Sequence, residues 1–361
     1  MLCENEMARP PRRSALLALV GLASAKYAVC SIAIYRGAGS ARHRGADAAR
    51  EAVISNHRRW CDVHGYEHVL WTSAELPRSP LWANSTAERR RRHPAWLKLA
   101  LVEQLLLEGY EAVMTLDLDA VVTNPSVTIE AIVERAAAAA RDARGAGDAP
   151  PADAGVILSG DTNLVNTAQV LYRSAPRTLA LLRELWKMPE GAPNWENGAL
   201  AAWLGGCAPG ATREEMKKCY EAADPGWDDP AAARSIRLGA WRGLPALAPQ
   251  RARGEDDGRI AWLPQRALNS YACRAGAGLN HSARPLHDQA ASIANHSACA
   301  VSDRTDHGGA DVALWRPGDF VLHFAGQKGG NVRKLLEFFA EPANLASLES
   351  GGRSILSARG I

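Results

Sequence analysis

Residues Glu111 to Pro125 read EAVMTLDLDAVVTNP, and no other stretch restricts the fold as much. Ala112 to Leu116 is a short apolar, β-prone run, so it reads as a buried strand. Asp117 and Asp119 arrive just as it ends. On an extended strand residues two apart point to one side, so both acids are expected to face one way while Leu118 turns back into the core. Asn124-Pro125 then closes the segment as a turn. A carboxylate pair at the carboxyl end of a buried strand suits a divalent cation held against a diphosphate; it also suits a polar stop to an apolar strand.

The flanking chain supplies the setting. Lys26 to Tyr35 reads as a first buried strand, Ala46 to His64 as a helix ending at Gly65, and Tyr66 to Trp71 as a second strand. This β-α-β opening starts an open α/β sheet. Arg36 to Gly45 reads as a loop able to approach a diphosphate, although it holds no GxGxxG. Leu76 to His93 reads as a polar loop whose run Arg89 to Arg92 is a solvated face. Trp96 to Leu107 reads as an amphipathic helix, and Ala131 to Asp153 as an Ala-rich helix running into an insertion. Strands follow at Gly155 to Gly160, ending at Asp161, and at Asn166 to Arg173. Pro176 to Trp186 reads as a helix with proline in its first turn, and a second helix runs through Leu204 with Asn194 as its cap. Arg259 to Tyr271 contains a further strand, and Ala272 to Trp315 reads as loop. His281, His287, His296 and His307 in that region lack metal-ligand spacing and read as surface residues first. Asp319 to Phe324 is an apolar strand carrying His323, followed by a glycine-rich run with Gly326 and Lys328.

At 361 residues the chain can bury a large core, and a formal charge of +3 does not point to a nucleic-acid partner. Arg9, Arg12 and Arg13 precede an apolar run from Ser14 to Ala25 that is too short for a membrane span of ~20 residues; it reads as a signal peptide or short signal anchor. Asn84-Ser85-Thr86, Asn280-His281-Ser282 and Asn295-His296-Ser297 are glycosylation sequons, which agree with secretory entry. Of the cysteines, Cys3 would leave with a cleaved leader, and Cys30, Cys61, Cys207, Cys219, Cys273 and Cys299 remain, an even set suited to an oxidising lumen. Cys207 with Cys219 is a candidate staple. Residues 1–25 are thus expected as leader or anchor, 26–345 as one large domain, and 346–361 as a tail.

Several separated stretches resemble one family. Asn56 to Tyr66 (NHRRWCDVHGY), Trp96-Leu97-Lys98, Leu116 to Asp119, Asp161 to Arg173 (DTNLVNTAQVLYR), Leu263 to Tyr271 (LPQRALNSY) and Gly318 to Gly326 (GDFVLHFAG) occur in the order found in glycosyltransferase family 34. That group comprises galactosyl- and xylosyltransferases of retained anomeric configuration. The resemblance implies a GT-A fold, that is, a Rossmann-like nucleotide-diphospho-sugar transferase domain with a mixed central sheet. It also implies a nucleotide-sugar donor, most naturally a UDP-sugar, a glycan or polysaccharide acceptor, and a place in the Golgi lumen or membrane. Trp60, Ala168 and Asn197 depart from the family's usual Tyr, Gly and Gln, and the loop before His323 is long for it.

By that resemblance Asp117, Asp119 and His323 would hold a divalent ion, Mn2+ by its mixed oxygen and imidazole donors. Lys328 would reach the phosphates as a point charge while Gly326 lets the backbone approach. Asp117, Asp161 and Asn166 would touch the donor, although Asp161 and Asn166 also suit fixed turns. Glu196 and Asn197 would stand beside the anomeric carbon and the acceptor hydroxyl; for Glu196 the plain alternative is a first-turn acid favouring the helix dipole. Trp82 and Trp195, both in polar surroundings, are candidates to stack on acceptor sugars, the other tryptophans reading as core.

Two other readings use the same residues. Asp117-Leu118-Asp119-Ala120-Val121 fits the nucleophile motif of haloacid-dehalogenase-type phosphatases, with Glu255-Asp256-Asp257 as the distal acids. That motif normally lies on the first strand and carries Gly after the second Asp, and its lysine is not evident here. A non-catalytic sugar-binding relative is the third reading, supported by the departures at Ala168 and Asn197.

Overall fold

In a computed structural model the described residues are 26–33, 44–72, 77–144, 154–161, 164–189, 195–223, 260–263, 265–272, 285–294, 314–324 and 330–348. In chain order the elements are β1 (Tyr27–Ala33), α1 (Arg44–His64), β2 (Glu67–Thr72), the short turns α2 (Pro80–Ala83) and α3 (Ala87–Arg90), then α4 (Leu97–Leu107), β3 (Ala112–Leu116) and β4 (Ala120–Val122). They continue as α5 (Ile129–Arg144), β5 (Val156–Asp161), β6 (Leu164–Val165), β7 (Gln169–Arg173), α6 (Pro176–Lys187), α7 (Glu196–Leu204) and α8 (Arg213–Ala223). The last are β8 (Ile260–Leu263), α9 (Gln265–Leu268), β9 (Ser270–Tyr271), α10 (Leu286–Ala294), β10 (Val321–His323) and α11 (Gly330–Ala340). Residues 1–25, expected as leader or anchor, residues 36–43, expected as a loop, and Asn194, Pro264, Cys273, Gly326 and Lys328 lie outside the described residues.

The fold is α/β around a mixed central sheet of seven strands in the order β2-β1-β3-β7-β5-β6, with β8 on β5. β1 lies parallel to both β2 and β3, and β3 then meets β7 antiparallel. Alternation along β1 explains burial on both faces. Ala28 and Cys30 join Val113, Val170 and the helices α4, α6 and α7 on one side; Tyr27 and Val29 join Met114, Leu116, Trp60 of α1 and Ile132 of α5 on the other. A second sheet, β4-β10-β9, leans on α1, α10 and α11 through Leu322, Phe324, Val53 and Phe339.

Most elements fall where the residue pattern puts them, including the stop of α1 at Gly65, whose φ of 70° needs a residue without Cβ. Three expectations change. α4 is buried from Lys98 to Leu106 rather than amphipathic, because helices and sheet enclose it on every side. Arg92 is no solvated arginine: it is 8% exposed, donates to the Trp186 and Met188 carbonyls at 2.8 and 2.6 Å, and lies 4.3 Å from the Trp96 ring centre. The stretch read as loop after Ala272 contains α10. Cys207 and Cys219 form a disulfide, tying the end of α7 to α8. Among the described residues no helix is long and apolar enough to cross a membrane.

Candidate active site

β3 stops at Leu116, and Asp117-Leu118-Asp119 forms a turn that carries the chain from the large sheet into the small one. Ala120 N donates back to Asp117 O at 3.1 Å, closing it. The two acids are therefore not side by side on an extended strand as the two-residue spacing suggests. Both acids still line one pocket but turn to different partners, and Leu118 borders that pocket while packing, half-buried, against the core cluster of Val121, Leu322 and Phe339. Asp117 N is anchored to Ala168 O, and Asp119 O accepts from Phe324 N, so each acid is pinned to a different neighbour.

Asp117 faces α4 and α7. Lys98, on the first turn of α4 and 8% exposed, donates to both Asp117 oxygens at 3.0 and 3.1 Å and to Glu196 Oε1 at 2.8 Å. Thr167 Oγ1 donates to the same Glu196 oxygen at 2.9 Å, and Asn197 Oδ1 accepts from Thr167 N at 2.6 Å. Glu196 is thus no surface cap; it is 4% exposed, and its Oε2 has no partner among the described residues. Burial pushes the Asp117 carboxyl up to about 6 against the pull of Lys98. Burial opposes the charge on Lys98 as well, yet Asp117 and Glu196 outweigh it and hold the ammonium protonated.

Asp119 faces the small sheet. His323 Nε2 lies 3.1 Å from Asp119 Oδ1, while Nδ1 lies 2.8 Å from Asn269 Oδ1. Asn269 turns its amide nitrogen to the Tyr271 hydroxyl, so its oxygen is the atom that meets His323. A carbonyl oxygen only accepts; Nδ1 therefore carries the proton, and Nε2 points its other valence at a carboxylate. A proton or a cation belongs between them. Burial works against ionisation of Asp119, but His323 outweighs it and holds the carboxyl below the usual range. Asn166 donates to the Tyr271 hydroxyl at 2.9 Å and accepts from Ala168 N, which makes it a buried turn-former behind this half.

α1 fixes the floor. Asn56 bonds both the N–H and the carbonyl of Val122, His57 Nε2 donates to Ala120 O at 2.8 Å, and Trp60 Nε1 donates to Val127 O. His57 Nδ1 in turn accepts from Ser31 on β1, at 3.0 Å. Burial pushes His57 down to about 3 and His68, next along this chain, down to about 4, so both rings are neutral.

Of these groups Lys98, Asp117 and Asp119 open onto a pocket of about 430 Å³, which Ile32, Ala33, Arg50, His93, Pro94, Ala95, Leu118 and Trp195 also line. Trp195 lies against His93 with ring centres 3.8 Å apart and planes 6° from parallel. Its φ of 54° and ψ of -118° match the first corner of a type II′ turn, a glycine position that costs another residue roughly 1–3 kcal/mol. Trp82, the other stacking candidate, instead packs partly buried against the core, under Arg90.

Of the residues singled out in the sequence, Asp117 and Glu196 meet on Lys98, Asn197 holds Thr167 N beside them, and Asp119 meets His323. Among the described residues no group of three His, Cys, Asp or Glu is arranged to hold a metal ion. Asp161 ends β5, with its side chain outside the described residues, as are Gly326 and Lys328. Lys98, Asn269 and His57 were missed as site residues. Lys98 left a signal, being the one charge in the apolar opening LKLALV of α4.

No protein-family model and no curated protein matches the chain. Four solved chains do. One is the crystal structure of a glycosyltransferase involved in the glycosylation of the major capsid of PBCV-1, at TM-score 0.38 and 12% identity, covering 86% of this chain and 98% of that one. Likeness of that size decides neither fold family nor activity, and family 34 stands as a resemblance of sequence stretches.

Proposed function

We propose that this chain is a GT-A-type glycosyltransferase that moves a hexose or pentose, galactose or xylose by the resemblance, from a nucleotide sugar to a glycan acceptor in the secretory pathway, with retention. The observation that carries the reading is the split acid pair at the carboxyl end of β3, Asp117 on the Lys98–Glu196 pair and Asp119 opposite His323. That edge of an open α/β sheet is where phosphate ligands bind.

The residues fit a divalent ion: His323 commits its Nδ1 proton to Asn269 and offers Nε2 beside a carboxylate, an arrangement that orients metal-binding imidazoles. Asp119 and His323 would hold it, with Asp117 once released from Lys98, and Mn2+ suits oxygen and nitrogen donors together. When bound, such an ion supplies positive charge to the departing diphosphate. Lys98 adds a second, permanent positive charge beside Asp117. In the transfer the bond between the anomeric carbon and a phosphate oxygen breaks, a bond to the acceptor oxygen forms on the same face, and the acceptor proton passes to the departing phosphate. Glu196, held by Lys98 and Thr167, and Asn197 fix the wall beside that carbon. Lys328 and Gly326 enter only through the resemblance.

A phosphatase reading has one observation in favour, since Lys98 supplies in space the lysine its motif lacks in sequence. One assay separates the two. The full chain is incubated with a panel of UDP- and GDP-sugars and with a phosphomonoester, with Mn2+ or a chelator, alongside Asp119→Asn. Metal-dependent nucleotide release, lost in the variant, is the expected result; phosphate release from the monoester with every nucleotide sugar intact would replace this reading with the phosphatase.

A further inference from the structure

We propose that His93 and Trp195 form a preorganised platform for a pyranose ring of the acceptor, a proposal that rests on the transferase reading for the word acceptor. The two rings are stacked and both line the pocket that holds Lys98, Asp117 and Asp119. Trp195 is 47% exposed, one of three large hydrophobic residues so exposed among those described, and the only one of them on the pocket. With His93 against one face of the indole, the rest of that side chain borders the cavity.

The backbone holds the indole there against its own preference. Trp195 is the one non-glycine residue with positive φ among those described. The residue after it, Glu196, is fixed by Lys98 and Thr167, and Asn197 by Thr167 N, so the peptide carrying the indole cannot relax. His93 is pinned too: its Nδ1 accepts from Ala95 N at 3.3 Å and Pro94 follows it. Two flat rings held rigid beside a charged floor suit a ligand that is apolar on one face and hydroxylated at its edge. A pyranose has that shape.

A nucleobase also stacks on aromatic rings. The position argues for sugar. Trp195 directly precedes Glu196 and Asn197, the wall assigned to the reacting carbon, whereas the base of a nucleotide sugar is separated from that carbon by the whole diphosphate. The acceptor rather than the donor sugar belongs on the exposed ring, because a glycan chain must leave the pocket toward solvent.

The test uses the full chain with a UDP-sugar, Mn2+ and an oligosaccharide acceptor, comparing Trp195→Ala, Trp195→Phe, Trp195→Gly and His93→Ala. The expected result is an acceptor KM raised about tenfold in Trp195→Ala, less in His93→Ala and least in Trp195→Phe, with donor KM and acceptor-free nucleotide release within about twofold. Trp195→Gly, which suits the φ of 54°, should show the acceptor loss with a melting temperature no lower than that of the parent, separating binding from folding. A donor KM that rises while the acceptor KM holds would assign the platform to the nucleotide sugar and overturn the proposal; no change in either would overturn it as well. If the parent chain turns over no donor, the transferase reading fails by itself. Saturation-transfer NMR with methyl pyranosides of glucose, galactose and xylose then decides: a signal lost in Trp195→Ala keeps the sugar platform, and silence from the parent removes it.

Discussion

Asp117 and Asp119 are two residues apart in sequence and occupy differently built halves of one pocket. The Asp117 half is held by charge: a buried ammonium satisfies two carboxylates, one of them almost wholly enclosed. The Asp119 half is held by a hydrogen-bonded relay, in which Tyr271 orients Asn269, Asn269 orients His323, and only the last imidazole meets an acid. The difference shows that a repeated residue need not imply a repeated role. Asp117 already has a cation from the protein, whereas Asp119 meets an imidazole whose other nitrogen is committed to Asn269.

Breaking the charged half should cost most. Lys98→Met leaves Glu196 and Asp117 without their cation, and about 3–5 kcal/mol of stability is expected to disappear in urea unfolding. Adding Glu196→Gln should recover part of it; a Lys98→Met chain as stable as the parent would show that charge does not hold this half.

The floor shared by both halves should respond to acid. His57 is pushed down to about 3 from an unfolded value near 6.5, so the unfolded chain binds more protons between those pH values. Its stabilising contribution is therefore full above pH ~6.5 and fades as pH falls toward 3. His68 adds in the same direction, and the raised Asp117 opposes from about pH 4 to 6. His57→Gln should lose fewer of the roughly 2–4 kcal/mol expected to vanish between pH 7 and 4, measured by denaturation at each pH. An unchanged slope would place the acid sensitivity elsewhere.

Asn269→Leu sharpens the comparison from the Asp119 side. It orphans the buried Nδ1–H of His323 and should cost about 1–3 kcal/mol, and Mn2+ should then raise the melting temperature less than in the parent. An equal Mn2+ shift in both would mean that Asn269 does not orient the imidazole. The smallest effect is expected at Trp82, whose removal should leave acceptor KM within about twofold because its ring packs on the core. A large rise there would move the acceptor groove away from Trp195.

The sequence made much of this visible where the signal was local. The central strand, the histidine at the end of β10, the Glu196–Asn197 helix start and the Cys207–Cys219 staple all follow from residues close in the chain. Partners that meet across distance did not show: Lys98 with Glu196, Asn269 with His323, and Arg92 with the carbonyls ending α6 depend on which helix lies on which face. The turn of the two acids to different partners was hidden for a related reason. A period of two presumes an extended chain, and the change from one sheet to the other bends it at Leu118.

The small sheet also sets the order in which the chain can become functional during synthesis. Among the described residues every strand of the large sheet has been made by Leu263, so that core can form early. β10, with His323, pairs with β4 and is among the last strands to be made. Until then Asp119 has no imidazole and the small sheet has no middle strand. A ribosome-bound chain would therefore hold a folded scaffold with half a pocket wall, and the partner of Asp119 would arrive with the residues that follow Phe320.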